Sequence, residues 1–281
     1  HPDQEPAKTH DDERKPRERP VRTPANFGGP TPELANLSNK ERARWIFMDR
    51  FITLEQLEKI IGCAFSQQES DQYNKALDEF LGRLFLLTDV ASAMTDCDLP
   101  ALQQMFSSTL ILMRHREVGD EERVRVPCTL ENLRLRFDKY FYKRRSVPNW
   151  YESQPFYTDP LEKSQWVLCE IDYLNCTLLS PKKRLSTYAR TWALSSSAIL
   201  QKNATEDVYD RIICGEALQE HLFEQNCNSC TTTSYAKGTE IPYSVYTVQK
   251  DQKIAIHGKM GLPHWRTKRR LWPGVYPTLV P

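Results

Sequence analysis

The stretch DLPALQQMFSSTLILMRHREVG, residues 98–119, carries the weight of the fold assignment. Asp98 has the side chain of a helix N-cap, and Pro100 suits a first turn, where a missing N–H costs nothing. Behind them Leu102, Met105, Phe106, Leu110 and Met113 recur at three- and four-residue steps, the period of a helix with one apolar face. Read as one helix running to Gly119, the stretch makes the middle of the chain helical.

The flanking sequence carries the same punctuation. Ser38 with Glu41, Thr53 with Gln56 and Ser66 with Glu69 have capping-box spacing, in which each partner satisfies one orphan N–H of the other. After Ser66, the residues Tyr73, Leu77, Phe80, Leu81, Leu84 and Leu87 form one amphipathic stripe. On the other side Thr129 precedes Leu130, Leu133, Phe137, Tyr140 and Phe141. Asp159-Pro160 and Ser180-Pro181 read as further helix openings, and Thr205 precedes Val208, Ile212, Leu218 and Leu222. The expectation is a mainly α fold, an irregular bundle of about seven helices over residues 36–225.

The two ends differ from this body. Residues 1–35 are prolines and charges with few apolar groups, which cannot offset their ordering entropy and read as a disordered arm. Residues 226–281 read as a small β and irregular region: IPYSVYTV (241–248) and KIAIH (253–257) alternate well enough for a hairpin. Between them, the proline- and aromatic-rich stretch at 146–158 either packs as an ordered crossing or splits the helical body into two lobes.

Composition excludes more than it assigns. The 281 residues hold 38 Lys+Arg against 37 Asp+Glu, so the net charge of +1 names no partner. Ten glycines rule out collagen-like order. No apolar run approaches the roughly 20 residues of a transmembrane helix.

Compartment is read from sulfur and sequons. The first residue is His1, which points to a processed or trimmed chain from which a leader would already be gone. The eight cysteines (Cys63, Cys97, Cys128, Cys169, Cys176, Cys214, Cys227 and Cys230) could form up to four bridges, and glycosylation sequons stand at Asn36, Asn175 and Asn203. Reduced core thiols are the alternative. Secretion is the expectation. Cys169 and Cys176, seven apart on one expected helix, are too distant to bridge each other. The charged arm leading into a helical body resembles secreted effectors of filamentous plant pathogens in layout, although the Arg-x-Leu-Arg signature of the oomycete class is absent.

Candidate sites follow residue chemistry. Trp265, Arg266, Lys268, Arg269, Arg270 and Trp272 interleave guanidinium, ammonium and indole, a mixture suited to an acidic or phosphate-bearing surface. His257, with Glu240 and Lys259, could serve acid–base cleavage of a phosphodiester; a structural strand histidine is the alternative. Cys214, His221, Cys227 and Cys230 could hold zinc, but Cys214 and His221 lie too far apart on one helix, so no metal and no cofactor are expected. The common hydrolase and nucleotide-binding motifs are absent.

These signals point to a secreted, disulfide-supported interaction protein without catalytic turnover, an effector-type protein of a pathogen whose partner is a host protein. Polyanion binding by the basic tail is a further expectation. The alternatives are a secreted hydrolase or nuclease with a site assembled from distant residues, and an intracellular protein associated with zinc or nucleic acid.

Overall fold

In the computed structural model of the chain, all three capping boxes form. Ser38, Thr53 and Ser66 accept from the N–H three residues on, and Glu41, Gln56 and Glu69 reach back to the cap N–H. They open α1 (Asn39–Phe47), α2 (Leu54–Ile61) and α3 (Gln67–Phe85). The structure describes residues 33–96, 98–142, 149–171, 185–186, 188–190, 198–219, 228–235, 243–250, 253–260 and 277–280. These fall within one unit, Thr31–Pro281. The expected disordered arm lies outside the described residues up to position 32. From Glu33 on, a 3-10 turn at Leu34–Asn36 buries Leu34 completely, and Arg42 donates to its carbonyl at 2.8 Å.

Helices α4 (Thr88–Thr95) and α5 (Leu99–Met105) complete a helical layer. The α3 stripe turns Leu77, Phe80, Leu81 and Leu84 inward, where they join Ile46 and Phe47 of α1 and Leu57 and Ile61 of α2 in one apolar core. Phe47 and Phe106 meet with ring centroids 4.7 Å apart. Each such side chain contributes about 1.5–3 kcal/mol by leaving water. Helix α2 stops at Gly62, whose φ of 67° is left-handed, and the Arg136 guanidinium lies where a Cβ would stand.

The mainly α expectation is overturned downstream of α5. Asp98 does cap α5 and Pro100 does sit in its first turn, but the helix ends at Met105. Residues Thr109–Arg114 form strand β1 instead. All six are buried, so the strand has no wet face, and its apolar run imitates the helical period. The Asp159-Pro160 opening fails for the same reason: β4 (Gln165–Glu170) follows, with Trp166, Val167, Leu168 and Cys169 buried on both faces. Cys169 is therefore a strand residue. The Ser180-Pro181 opening lies outside the described residues.

The described residues form an α/β mixture with three antiparallel sheets. The largest has the order β1-β4-β9-β5, where β5 is Ile199–Gln201 and β9 is Pro277–Leu279. The free edge of β1 is covered by the chain at Phe51 and Ile52, whose N–H donates to Ile111 O at 2.9 Å. A small pair, β2 (Glu117–Gly119) with β3 (Arg125–Pro127), precedes α6 (Leu130–Arg136), which Thr129 caps. The third sheet has the order β6-β7-β8. Its β7 (Tyr243–Lys250) and β8 (Lys253–Met260) pair from Lys250↔Lys253 to Tyr243↔Met260, and β6 (Asn228–Tyr235) adds a strand to that hairpin. The aromatic crossing is ordered over 149–157, with Tyr151, Phe156 and Tyr157 buried and Trp150 Nε1 donating to Ile256 O at 3.0 Å.

Helix α7 (Ala204–Leu218) packs against β1, β6, β7, α2 and α6. Asn203 and Glu206 form a fourth capping box at its start. Eleven of its fifteen residues are buried, Asp207, Asp210 and Arg211 among them. It is a central helix, capped by Asn203 rather than by the expected Thr205, which lies inside its first turn.

Candidate functional site

Two places concentrate chemistry among the described residues, one closed and one open. The closed one forms around α7. Arg114, at the end of β1, donates through Nε and Nη2 to the two oxygens of Asp210 at 2.9 and 2.7 Å, a bidentate pair. Its Nη1 reaches Glu206 Oε1 at 3.0 Å, and Nη2 also donates to Thr278 Oγ1 of β9 at 2.7 Å. Lys202 Nζ lies 2.8 Å from Asp210 Oδ2 and 3.9 Å from Asp207 Oδ1. Arg211 Nε donates to Asp207 Oδ2 at 2.9 Å, one helical turn along, and Thr247 of β7 donates to the same oxygen.

Three cations and three anions therefore cancel, and apart from Glu206 at 19 % their side chains are at most 2 % exposed. Burial alone would raise the Asp210 carboxyl, but Arg114 and Lys202 hold it well below the usual carboxylate range. Asp207 is held down against the same burial by Arg211 and Lys202. The Cys169 thiol donates to Asp210 Oδ2 at 3.2 Å; burial first, then the adjacent carboxylate, push its own pKa far up. The cluster is neutral and buried, and its hydrogen bonds fasten β1, β4, β7 and β9 to one helix.

The open place lies on the helical layer. A groove of about 610 Å³ runs along α3 between α1 and α4, with Arg42, Gly82, Arg83, Leu86, Ala91 and Met94 in its lining. Leu86, at the end of α3, is 78 % exposed. The reason is geometric: in the run Leu84-Phe85-Leu86-Leu87 four consecutive apolar residues cannot all face one core, and Leu86 falls on the outer side. A smaller cleft of about 240 Å³ is lined by Leu87, Val90, Met105, Ser108, Glu170 and Tyr188, and the Tyr188 hydroxyl donates to the buried Glu170 carboxylate there.

No protein-family model, curated protein or solved structure matches this chain.

The residues singled out by sequence are scattered. His257 is exposed on β8, opposite Tyr246, and Lys259 occupies the same strand opposite Ser244. Glu240 lies outside the described residues, so the acid–base trio is not assembled by anything described. Trp265, Arg266, Lys268, Arg269, Arg270 and Trp272 also lie outside them, as do His221 and Cys227. Cys214 is buried within α7, and Cys230 stands on β6 opposite Tyr246. Among the described residues no three metal-ligating side chains come together. Asn36 is exposed and donates to Glu33, whereas Asn203 is half-buried and caps α7; Asn175 lies outside the described residues.

Sequence reasoning passed over the ionic centre entirely. The available signal was Asp207 and Arg211 at i,i+4 spacing, with Asp210, inside a helix of otherwise apolar pattern; such charges ordinarily mark a solvated face. Arg114 at the end of a buried strand was the second signal.

Proposed function

We propose that the protein works by holding another polypeptide chain, with the groove along α3 as the contact. The observation that carries this reading is the apolar side chain of Leu86 beside that groove. A lone exposed leucine is ordinary, but one continuous with a concavity reaching Ala91 and Met94 is what an apolar anchor fits. No helix among the described residues is long and apolar enough to cross a membrane. To test the contact, immobilised wild-type, Leu86→Glu and Leu135→Glu chains are compared for capture of polypeptides. Leu135 is also exposed, on α6, and serves as control. Capture lost with Leu86→Glu and kept with Leu135→Glu is the expected result; equal capture by all three would remove the groove from the reading.

We further propose that the chain is secreted and disulfide-supported, an effector-type protein whose partner is a host protein. Cysteine number and sequons support this. Cys63, Cys128, Cys169 and Cys214 are buried thiols in the structure, so bridges in this reading fall on Cys97, Cys176, Cys227 and Cys230. The test is alkylation in denaturant followed by intact mass. Four adducts before reduction and eight after it are expected; eight before reduction would place the protein in a reducing compartment. The enzyme alternative has one described foothold, the cleft that holds Glu170, Tyr188 and Ser108, where the Tyr188 hydroxyl donates to a buried carboxylate.

A further inference from the structure

We infer that the chain seated on the outer face of α3 is a second copy of this protein, joined by an antiparallel two-fold pairing of the two α3 helices. The inference rests on the binding surface proposed above and names its occupant. Ala76, Glu79, Gly82, Arg83 and Leu86 lie at three- and four-residue steps on one outward stripe, with all but the half-buried Gly82 exposed. When two copies of the helix cross antiparallel with the axis level with Leu81, Glu79 of one copy faces Arg83 of the other. Leu86 of one copy then faces the small Ala76 of the other. A two-fold axis makes each contact twice. The stripe is thus complementary to itself in both charge and size.

Gly82 supplies an independent observation. Glycine in the interior of a 19-residue helix lowers its stability, so its presence needs a reason. Among the described residues nothing provides one. Among them a Cβ at that position would meet Asn39 Nδ2 at 3.8 Å, an ordinary contact. What a bare helix surface does provide is close approach of a second helix, at the level where these two would cross. Glu79 and Arg83 sit on either side of it without an ion-pair partner among the described residues.

Sedimentation velocity on the full chain, from about 1 to 100 μM, spans the range in which a modest helix–helix contact dissociates. A concentration-dependent dimer is expected. Glu79→Arg and Arg83→Glu each place like charges at both symmetry-related contacts and should weaken it about tenfold. Together, in one chain, they should restore affinity to within about threefold of wild type. A cross-link gives a second readout: Ala76→Cys with Leu86→Cys should yield a covalent dimer on mild oxidation, and wild type should not. A chain that stays monomeric throughout, or a dimer that the double reversal fails to restore and the cysteine pair fails to trap, overturns the inference. If the wild type is monomeric but capture still depends on Leu86, self-pairing falls and the binding groove stands. If neither capture nor dimerisation depends on Leu86, both fall.

Discussion

The helical layer of α1–α5 and the centre around α7 are both buried, yet they are held by opposite means. In the first, the interior is Ile46, Phe47, Leu57, Leu81 and Phe106, and the polar work is done at the rim by caps. In the second, Arg114, Lys202, Asp207, Asp210 and Arg211 occupy the interior itself. An apolar core tolerates any arrangement that fills space, so it sets approximate positions. A buried ion network tolerates only arrangements that pair every charge. Here the charged Arg114 comes from β1 and the hydrogen-bonding Cys169, Thr247 and Thr278 from β4, β7 and β9, so the network ties these strands to α7.

The contrast predicts its own largest effect at Asp210. Asp210→Ala leaves Arg114 and Lys202 without their main counter-charge in a dry site, and should cost about 3–5 kcal/mol in urea unfolding. Replacing the pair together, Arg114→Met with Asp210→Leu, should recover part of that loss, because Arg114 no longer stands uncompensated while Lys202 keeps only Asp207, 3.9 Å away, and Glu206 loses its arginine. A loss below about 1 kcal/mol in the single variant would mean that water reaches the centre. In the helical layer, Leu81→Ala should cost about 2–5 kcal/mol through a cavity, and no second substitution with charge should rescue it.

Acid separates the two regions more finely. Asp207 and Asp210 both have folded pKa values below their ordinary 3.8. Their contribution is therefore complete above the unfolded value and is lost as pH falls toward the folded ones. Each should add about 1.4 kcal/mol of lost stability per pH unit below about pH 4. On the rim of the helical layer, Glu69 is lowered to about 2, first by the Arg125 hydrogen bond and then by the Ser66 N–H, and has the same sign over the same window. It is about a quarter exposed, so solvent screens it. Urea midpoints from pH 5 to 2.5 should thus flatten markedly in Arg114→Met/Asp210→Leu and only slightly in Glu69→Gln. Equal flattening would place the acid sensitivity on the surface. Removing a cap acts locally: Ser66→Ala should cost about 1 kcal/mol at any pH where Glu69 is ionised.

What the sequence made legible divides along the same line. Ser38, Thr53 and Ser66 state their structure within four residues, and the α3 stripe needs only its own period to be found. β1 and β4 are buried on both faces, so neither alternation nor a helical face is visible in TLILMR or QWVLCE. Their strand character comes from pairing with each other, Leu110↔Cys169 through Met113↔Trp166, across more than fifty residues of chain. The same distance hides the ionic centre: Arg114 and Asp210 are 96 residues apart, and no local pattern joins them. The hairpin of β7 and β8 was readable because its strands are adjacent, while β6 beside them was not.

The smallest predicted effects concern the two described sequons, which fall on either side of this divide. Asn36 sits at the edge of the helical layer, exposed, with its amide donating to exposed Glu33 at 2.7 Å. Asn203 opens α7: its Oδ1 accepts from Glu206 N at 2.8 Å, and its own N–H donates to Glu206 Oε2 at 2.8 Å. A glycan needs the amide nitrogen in water, and the capping geometry holds the Asn203 side chain half-buried against the start of the helix. Expression in a glycosylating host should therefore give a mass that falls by one glycan with Asn36→Gln and keeps its glycans with Asn203→Gln. Stability should respond in reverse, by about 1 kcal/mol for Asn203→Gln and within about 0.5 kcal/mol for Asn36→Gln. A glycan lost with Asn203→Gln would show that the start of α7 stays open long enough during folding to be modified, and that the ionic centre closes after it.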